Sequence, residues 1–246
     1  MSQEILNTFA KAHYSCNERE DVFLTVLLGL LSQYFDRVGD AAKIFHLLQA
    51  RGDRVINDHI AFRSMDMRPL LSIFFFYGYQ VVLDETGLPF NFAAVNKKLT
   101  AVWLRHPNPS FPRLFISQIR LADIAAEATQ IAENYLADSQ DPIDDLDYMD
   151  AAAVIAYLHS RKWPPLSHSD YQSILGHSEY LAWVLLNDYY LNHFTVSVNL
   201  LHSFDFMQAW QETLQKPDAF VALYQSHMKE TPVHTHYLHL QYKPLV

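Results

Sequence analysis

Glycine is scarce in this chain, with six in 246 residues. Neither a Walker loop nor a dinucleotide-binding fingerprint is present, so Gly-rich phosphate cradles are excluded. Cysteine is scarcer still. Cys16 is the only one, so no intrachain disulfide can form, which suits a reducing compartment. It lies in a polar N-terminal stretch that gives no support to a nucleophilic role. Basic residues number 18 against 27 acidic ones, for a net charge of −9, and no stretch concentrates Lys and Arg. Nucleic acid and membrane are therefore not expected partners. No apolar run approaches the ~20 residues of a membrane span. Residues 1–20 lack the basic start and apolar core of a signal peptide. The expected location is cytoplasmic. No Gly-x-Ser-x-Gly elbow occurs, which argues against a serine hydrolase.

What the chain has in quantity is apolar and aromatic material: 50% hydrophobic residues, 16 Phe and 14 Tyr. That is enough for a substantial core. Histidine is also plentiful, at 13. Helical spacing predicts helices over 4–13, 21–34 and 40–50, the last with Ile44, Leu47 and Leu48 inward and Gly52 after its end. Residues 55–63, Val-Ile-Asn-Asp-His-Ile-Ala-Phe-Arg, read as a strand. Strict alternation puts Val55, Asn57, His59, Ala61 and Arg63 on one face and Ile56, Asp58, Ile60 and Phe62 on the other. His59 and Arg63 then lie roughly 13 Å apart on one face, a spacing that suits a metal or base at one end of a pocket and an anion clamp at the other. On this alternation Asp58 turns away and pairs locally rather than binding metal.

A helix over 66–77 and strands over 79–85, 99–106 and 113–121 follow, so 55–121 runs strand, helix, strand, strand, strand. Helices are predicted at 122–137, 148–160, 168–175 and 178–187. The acidic stretch 138–147 lacks the liganding pattern of a calcium loop and is expected to be solvated. Residues 191–200 alternate again, with His193, Thr195, Ser197 and Asn199 on one face. A helix near 204–216 and a strand over 235–242 complete the pattern, the strand setting Tyr237, His239 and Gln241 on one face. Three strands thus each carry a histidine on the more polar face: His59, His193 and His239. A sheet packed on helices has one apolar face, and its other face can line a polar cavity. His202, His227, His234 and His236 form a competing set; of these, His234 and His236 share a strand face and can clamp a metal together.

The stretch Asp58-His59-Ile60-Ala61-Phe62-Arg63 resembles the signature of the 2-oxoadipate dioxygenase/decarboxylase family. Trp163-Pro164, Tyr171, Ser178-Glu179-Tyr180, Ala182-Trp183-Val184 and Leu191-Asn192-His193-Phe194-Thr195 resemble a second block of that family. Lys97-Lys98-Leu99, Ala101, His106-Pro107 and Pro112-Arg113-Leu114-Phe115-Ile116-Ser117 also fit. The resemblance covers roughly residues 20–242. It implies an α+β fold of vicinal-oxygen-chelate (glyoxalase-like) type, a curved mixed sheet around a metal site, covered by N-terminal and inserted helices. The expected organisation is a single metal-centred domain over 1–246. Helices occupy 1–54, a first βαβββ module 55–121, a helical insertion 122–187 and a shortened second module 188–246.

The resemblance further implies oxidation of 2-oxoadipate by dioxygen to 2-hydroxyglutarate and carbon dioxide, a step in lysine catabolism, with non-haem Fe(II) held by two His and one carboxylate. His59 and His193 stand at the two His positions, and Arg63 where the family places a substrate arginine. The family's third ligand is a Glu in a Tyr-x-Glu-Phe context; here Tyr237-Leu238-His239-Leu240 occupies it. His59, His193 and His239 are therefore the expected metal ligands. Arg63 is the expected catalytic and substrate-binding residue, with Thr195, Ser197 and Tyr237 as further substrate contacts. Two alternatives on the same fold remain open: a non-redox Zn or Ni enzyme (hydrolase, isomerase or lyase), and a catalytically inactive small-molecule binding protein.

Overall fold

The computed structural model describes residues 3–89, 98–139, 141–197, 201 and 237–241, the last five as backbone only. The predicted helix near 204–216 and the competing set His202, His227, His234 and His236 lie outside them.

Three helices open the chain: α1 (Gln3–Lys11), α2 (Glu18–Arg37) and α3 (Gly39–Ala50). Helix α2 starts before the predicted residue 21 because Asn17 caps it. The Asn17 side chain accepts from the Glu20 amide at 3.1 Å, and Glu20 reaches back to the Cys16 amide at 2.9 Å. This resembles a capping box, except that Glu20 takes the amide one residue before the cap and the Asn17 side-chain amide at 3.0 Å. In α3 the inward residues are Ala41, Ile44, Phe45 and Leu48. Leu47, expected inward, is 39% exposed. Among the described residues no single helix is long and apolar enough to cross a membrane.

Then come β1 (Asn57–Ser64), α4 (Arg68–Phe76), β2 (Gln80–Val81), β3 (Leu99–Arg105) and β4 (Arg113–Ile119), in the predicted order. Strand β2 is shorter than the expected 79–85. The Asp84 carboxylate accepts from the amides of Thr86 and Leu88, and this side-chain turn competes with pairing. Four further helices follow: α5 (Ala126–Ala137), α6 (Ala151–His159), α7 (His168–Leu175) and α8 (Glu179–Asn187). Last are β5 (Leu191–Ser197) and β6 (Tyr237–Gln241). The six strands form one sheet in the order β2-β3-β4-β1-β5-β6. Strand β1 runs parallel to β4 and antiparallel to β5.

The carboxylates of the acidic stretch are exposed, as expected, and two of them, with Asp150 just beyond, bond nearby groups. Asp147 accepts from the Met149 amide, Asp150 caps α6, and Asp141 accepts from Ile143 N and from the Tyr157 hydroxyl. One apolar cluster joins Phe23, Leu27 and Leu30 of α2 to Ile60, Phe62, Leu114, Ile116, Phe194 and Val196 of the sheet. A smaller one joins Ala128 and Ala132 of α5 and Leu181 to Leu185 of α8 to Leu99 and Ile119. Leu99 pairs with Ile119, and the same rows continue through Ala101–Ser117 to Trp103–Phe115. Alternate residues share a face, so the second cluster closes one end of the face opposite the main core.

At the end of α6, His159 stacks on Tyr190 at 5.7 Å. Burial, reinforced by the charges of Arg37 and Lys162, pushes its pKa down to about 4. The unfolded chain takes up this proton near pH 6.5, so from pH 6.5 to about 4 the unfolded state binds more protons and stability falls. The variant His159→Phe removes that contribution. Thermal unfolding at pH 6.5 and 4.5 should show a smaller acid loss in the variant than in the unmodified protein; equal losses would contradict it.

Candidate metal centre

The pairing of β1 with β5 shifts register twice, between Asn57 and Ile60 and between Ala61 and Phe62. Asn57 faces Val196 and Ile60 faces Phe194, so Asp58 and His59 together oppose Thr195. Ala61 faces His193 and Phe62 faces Leu191, so Asn192 is the extra residue in β5. Each shift is a one-residue β-bulge, which breaks the two-residue alternation.

The first bulge corrects the strict alternation read from the sequence. Val55 belongs to the main core with Ile60 and Phe62, and Asn57 sits opposite the core residue Val196. Neither shares the face of His59. Asp58 does: its Oδ2 lies 2.7 Å from His59 Nδ1. A carboxylate can only accept, so His59 Nδ1 carries the hydrogen. The other carboxylate oxygen pairs with Arg113, whose Cα is the register partner of His59 on β4. Burial opposes ionisation of Asp58, but the hydrogen bond from His59 and the charge of Arg113 prevail and hold its carboxyl below the usual range. With both oxygens committed, Asp58 pairs locally, as expected, though from the site face.

The second bulge repeats the device. Asn192 Oδ1 lies 2.9 Å from His193 Nδ1, and a carbonyl oxygen accepts. The bulge also turns Leu191 into the main core beside Phe62 while His193 stays level with Ala61. The two imidazoles are 5.5 Å apart between ring centroids and nearly perpendicular, at 80°. Imidazoles sharing one ion through nitrogens at about 2.1 Å have centroids roughly 4.5 to 6.4 Å apart, and the observed spacing falls inside that range. With both Nδ1–H groups engaged, Nε2 is the atom on each ring that could hold a metal. The donor set therefore fits a divalent metal.

Trp103 stands against His59 at 5.0 Å and against Phe115 at 4.8 Å, with the Arg113 guanidinium 5.7 Å from its ring. Thr195 is fully buried, and its hydroxyl is occupied by His59: 3.0 Å from Nδ1, 3.0 Å from the amide and 2.8 Å from the carbonyl. Ser197 is buried further along β5, its amide bonded to the Ile56 carbonyl. Backbone register sets His239 opposite Thr195, Tyr237 opposite Ser197 and Gln241 opposite His193. Among the described side chains no three His, Cys, Asp or Glu converge as a metal site.

Arg63 lies on the same face as Ala61, with its guanidinium 5.0 Å from the Tyr180 ring and 5.4 Å from the Trp183 ring of α8. The Tyr180 hydroxyl contacts Ser117 Oγ at 2.8 Å and accepts from the Ser64 amide at 3.3 Å. Burial pushes its pKa up to about 12, so it stays neutral. Sequence spacing did not single out Asp58, Asn192, Trp103, Arg113 or Tyr180 as parts of the site. The one available signal was the Asp-His and Asn-His dipeptides preceding each strand's alternation.

The fold and this pair of bulged, histidine-bearing strands define an α+β protein of glyoxalase-like architecture. A protein of Ralstonia eutropha named for the glyoxalase superfamily shares the fold with a TM-score of 0.65 at 17% identity, over 87% of this chain and 79% of that one. The chain belongs to the 2-oxoadipate dioxygenase/decarboxylase family, whose model matches residues 26–235. It is 29% identical over 214 residues to the chloroplastic 2-oxoadipate dioxygenase/decarboxylase of Arabidopsis thaliana, covering 80% of this chain and 54% of that protein. It thus spans about half the length of the curated relatives it matches. The hydroxyglutarate synthase of Oryza sativa, solved in complex with 2-oxoadipate, is 25% identical with a TM-score of 0.65, over 81% of this chain and 64% of that one.

Proposed function

We propose that this chain is a metal-dependent 2-oxo acid dioxygenase/decarboxylase. In this reading His59, His193 and His239 hold Fe(II), and Arg63 receives the distal carboxylate of a 2-oxo dicarboxylic acid such as 2-oxoadipate. The observation that carries it is the pair of bulges that turns two imidazoles toward one another, each with Nδ1 engaged, on the face where Arg63 lies. Family membership supports the substrate class. The conversion balances: 2-oxoadipate and dioxygen give 2-hydroxyglutarate and carbon dioxide, with six carbons and seven oxygens on each side. Iron bound here would supply the redox chemistry with dioxygen. The protein's own groups supply position. Arg63 offers a bidentate, charge-assisted contact, and the Tyr180 and Trp183 rings beside it restrict its swing and exclude water. Trp103, backed by Phe115, packs an aromatic ring against His59. The Thr195 hydroxyl serves His59, which leaves Ser197 and Tyr237 as the hydroxyls proposed for substrate. The compartment proposed is the cytoplasm.

The register position of His239 favours a second reading. An imidazole in place of a carboxylate leaves the ligand set one charge more positive, and three imidazoles also suit Zn and Ni. Protein purified anaerobically and loaded with Fe(II) should consume one dioxygen and release one carbon dioxide per 2-oxoadipate. Absence of oxygen uptake, with tightly bound Zn or Ni and turnover under strict anaerobiosis, would replace the oxygenase by a non-redox enzyme. The variant Arg63→Met should raise KM for 2-oxoadipate on the order of 10- to 100-fold. Turnover of a 2-oxo monocarboxylic acid of equal length should be unchanged. Equal losses with both acids would remove Arg63 from the distal carboxylate.

A further inference from the structure

The two imidazoles are held alike in geometry but differently in charge. On a regular strand, consecutive side chains point to opposite faces, so a residue cannot hydrogen-bond the ring that follows it. Here both do, because each Asp-His or Asn-His pair occupies a bulge. The device occurs once in each of two neighbouring strands, at both candidate ligands. The partners differ. His59 Nδ1 faces a carboxylate, which Arg113 clamps from β4 and which is only 10% exposed. His193 Nδ1 faces a neutral amide. The His59 backbone is also fixed by Thr195, which accepts from its amide and donates to its carbonyl.

We propose that Asp58, clamped by Arg113, and Asn192 are positioning residues that fix both rings with Nε2 as the ligating atom and make His59 the stronger donor of the two. This rests on the metal-site reading above. A carboxylate accepting the Nδ1 hydrogen raises the electron density of the ring and its affinity for a metal, whereas an amide holds orientation with little electronic effect. Asp58 is the larger contributor, and Arg113 acts only by holding Asp58 against the ring. Arg113 is 43% exposed at its side chain but Asp58 only 10%, so Arg113→Met leaves a largely buried carboxylate short of its cation, and the melting temperature of its metal-free form is measured alongside.

The test is Co(II) binding, measured by competition with a chromophoric chelator and by the visible spectrum of the Co(II) protein, on otherwise metal-free protein. Asp58→Asn is expected to weaken Co(II) about 10- to 100-fold and to shift the visible bands, with the melting temperature of the metal-free form little changed. Arg113→Met is expected to give a smaller loss in the same direction, and Arg113→Lys to restore part of it. Asn192→Asp, which gives both rings a carboxylate partner, is expected to tighten binding. If Asp58→Asn and Arg113→Met bind Co(II) as the unmodified protein does while His59→Ala and His193→Ala lose it, the positioning role is overturned and the metal site stands. If His59→Ala and His193→Ala bind as well as the unmodified protein, the site reading fails and the positioning role goes with it.

Discussion

Alanine at position 193 should leave a folded protein that no longer binds metal. His193→Ala removes one of the two described imidazoles, and a structural metal site of four ligands contributes on the order of 10–16 kcal/mol in all. One ligand is therefore worth roughly 100- to 1000-fold in affinity. Oxygen uptake with 2-oxoadipate should fall below detection. The fold should survive, because His193 projects from the site face and its neighbours Phe194 and Leu191 still fill the main core. His59→Ala should give the same loss of metal with a larger drop in melting temperature. It leaves the Asp58 carboxylate and the Thr195 hydroxyl without the ring that joins them. Metal analysis and thermal unfolding on the same samples separate the two effects. Full metal content with full activity in either variant would remove that histidine from the site.

The second large effect is expected away from the site. Lys162 and Asp188 form an ion pair with side chains 3% and 2% exposed. Lys162 Nζ also donates to the carbonyls of Tyr157 at 2.8 Å and Ser160 at 3.0 Å, and it lies 4.2 Å from the Tyr157 ring and 4.8 Å from the Tyr189 ring. Asp188 accepts from the Lys162 amide at 2.9 Å. The pair ties the segment before Trp163 to the turn that leads from α8 into β5, the strand of His193. Burial dominates both groups: it pushes Asp188 up to about 6 and Lys162 down from its ordinary value.

Lys162→Met leaves Asp188 buried without its cation and should cost about 3–5 kcal/mol near pH 8, a fall in Tm on the order of 10 °C. The sign with pH follows from the raised folded-state value. The unfolded carboxyl ionises near 3.9. Above that the folded state holds the proton longer, so the penalty grows as pH rises through the folded value and fades on acidification. Loss of Lys162 moves that window upward, and the deficit should be larger at pH 8 than at pH 5. The double variant Lys162→Met/Asp188→Asn should recover most of the loss, since no unpaired charge remains. Asn, like the Asp it replaces, is among the side chains found most often at positive φ, which is 53° here. Equal Tm deficits at the two pH values would show that lost packing, not the stranded carboxylate, sets the cost.

The sequence alone determined the succession of elements over 55–121, because apolar periodicity and turn residues are local signals. It determined that His59 and His193 sit on strands, and the two histidine blocks carried the family resemblance that residues 26–235 bear out. Tertiary structure decided which neighbours those histidines have. A bulge is a property of two paired strands, and neither strand of the pair carries it in its own alternation. For that reason strict alternation puts Val55 and Asn57 on the face of His59, and turns Asp58 away from the ring it contacts. The same holds for Arg63, whose stacking partners Tyr180 and Trp183 come from a helix more than a hundred residues later. It holds equally for Lys162 and Asp188, 26 positions apart. Periodicity tells a side chain's face only while pairing stays regular. The chemistry of this site is built where it does not.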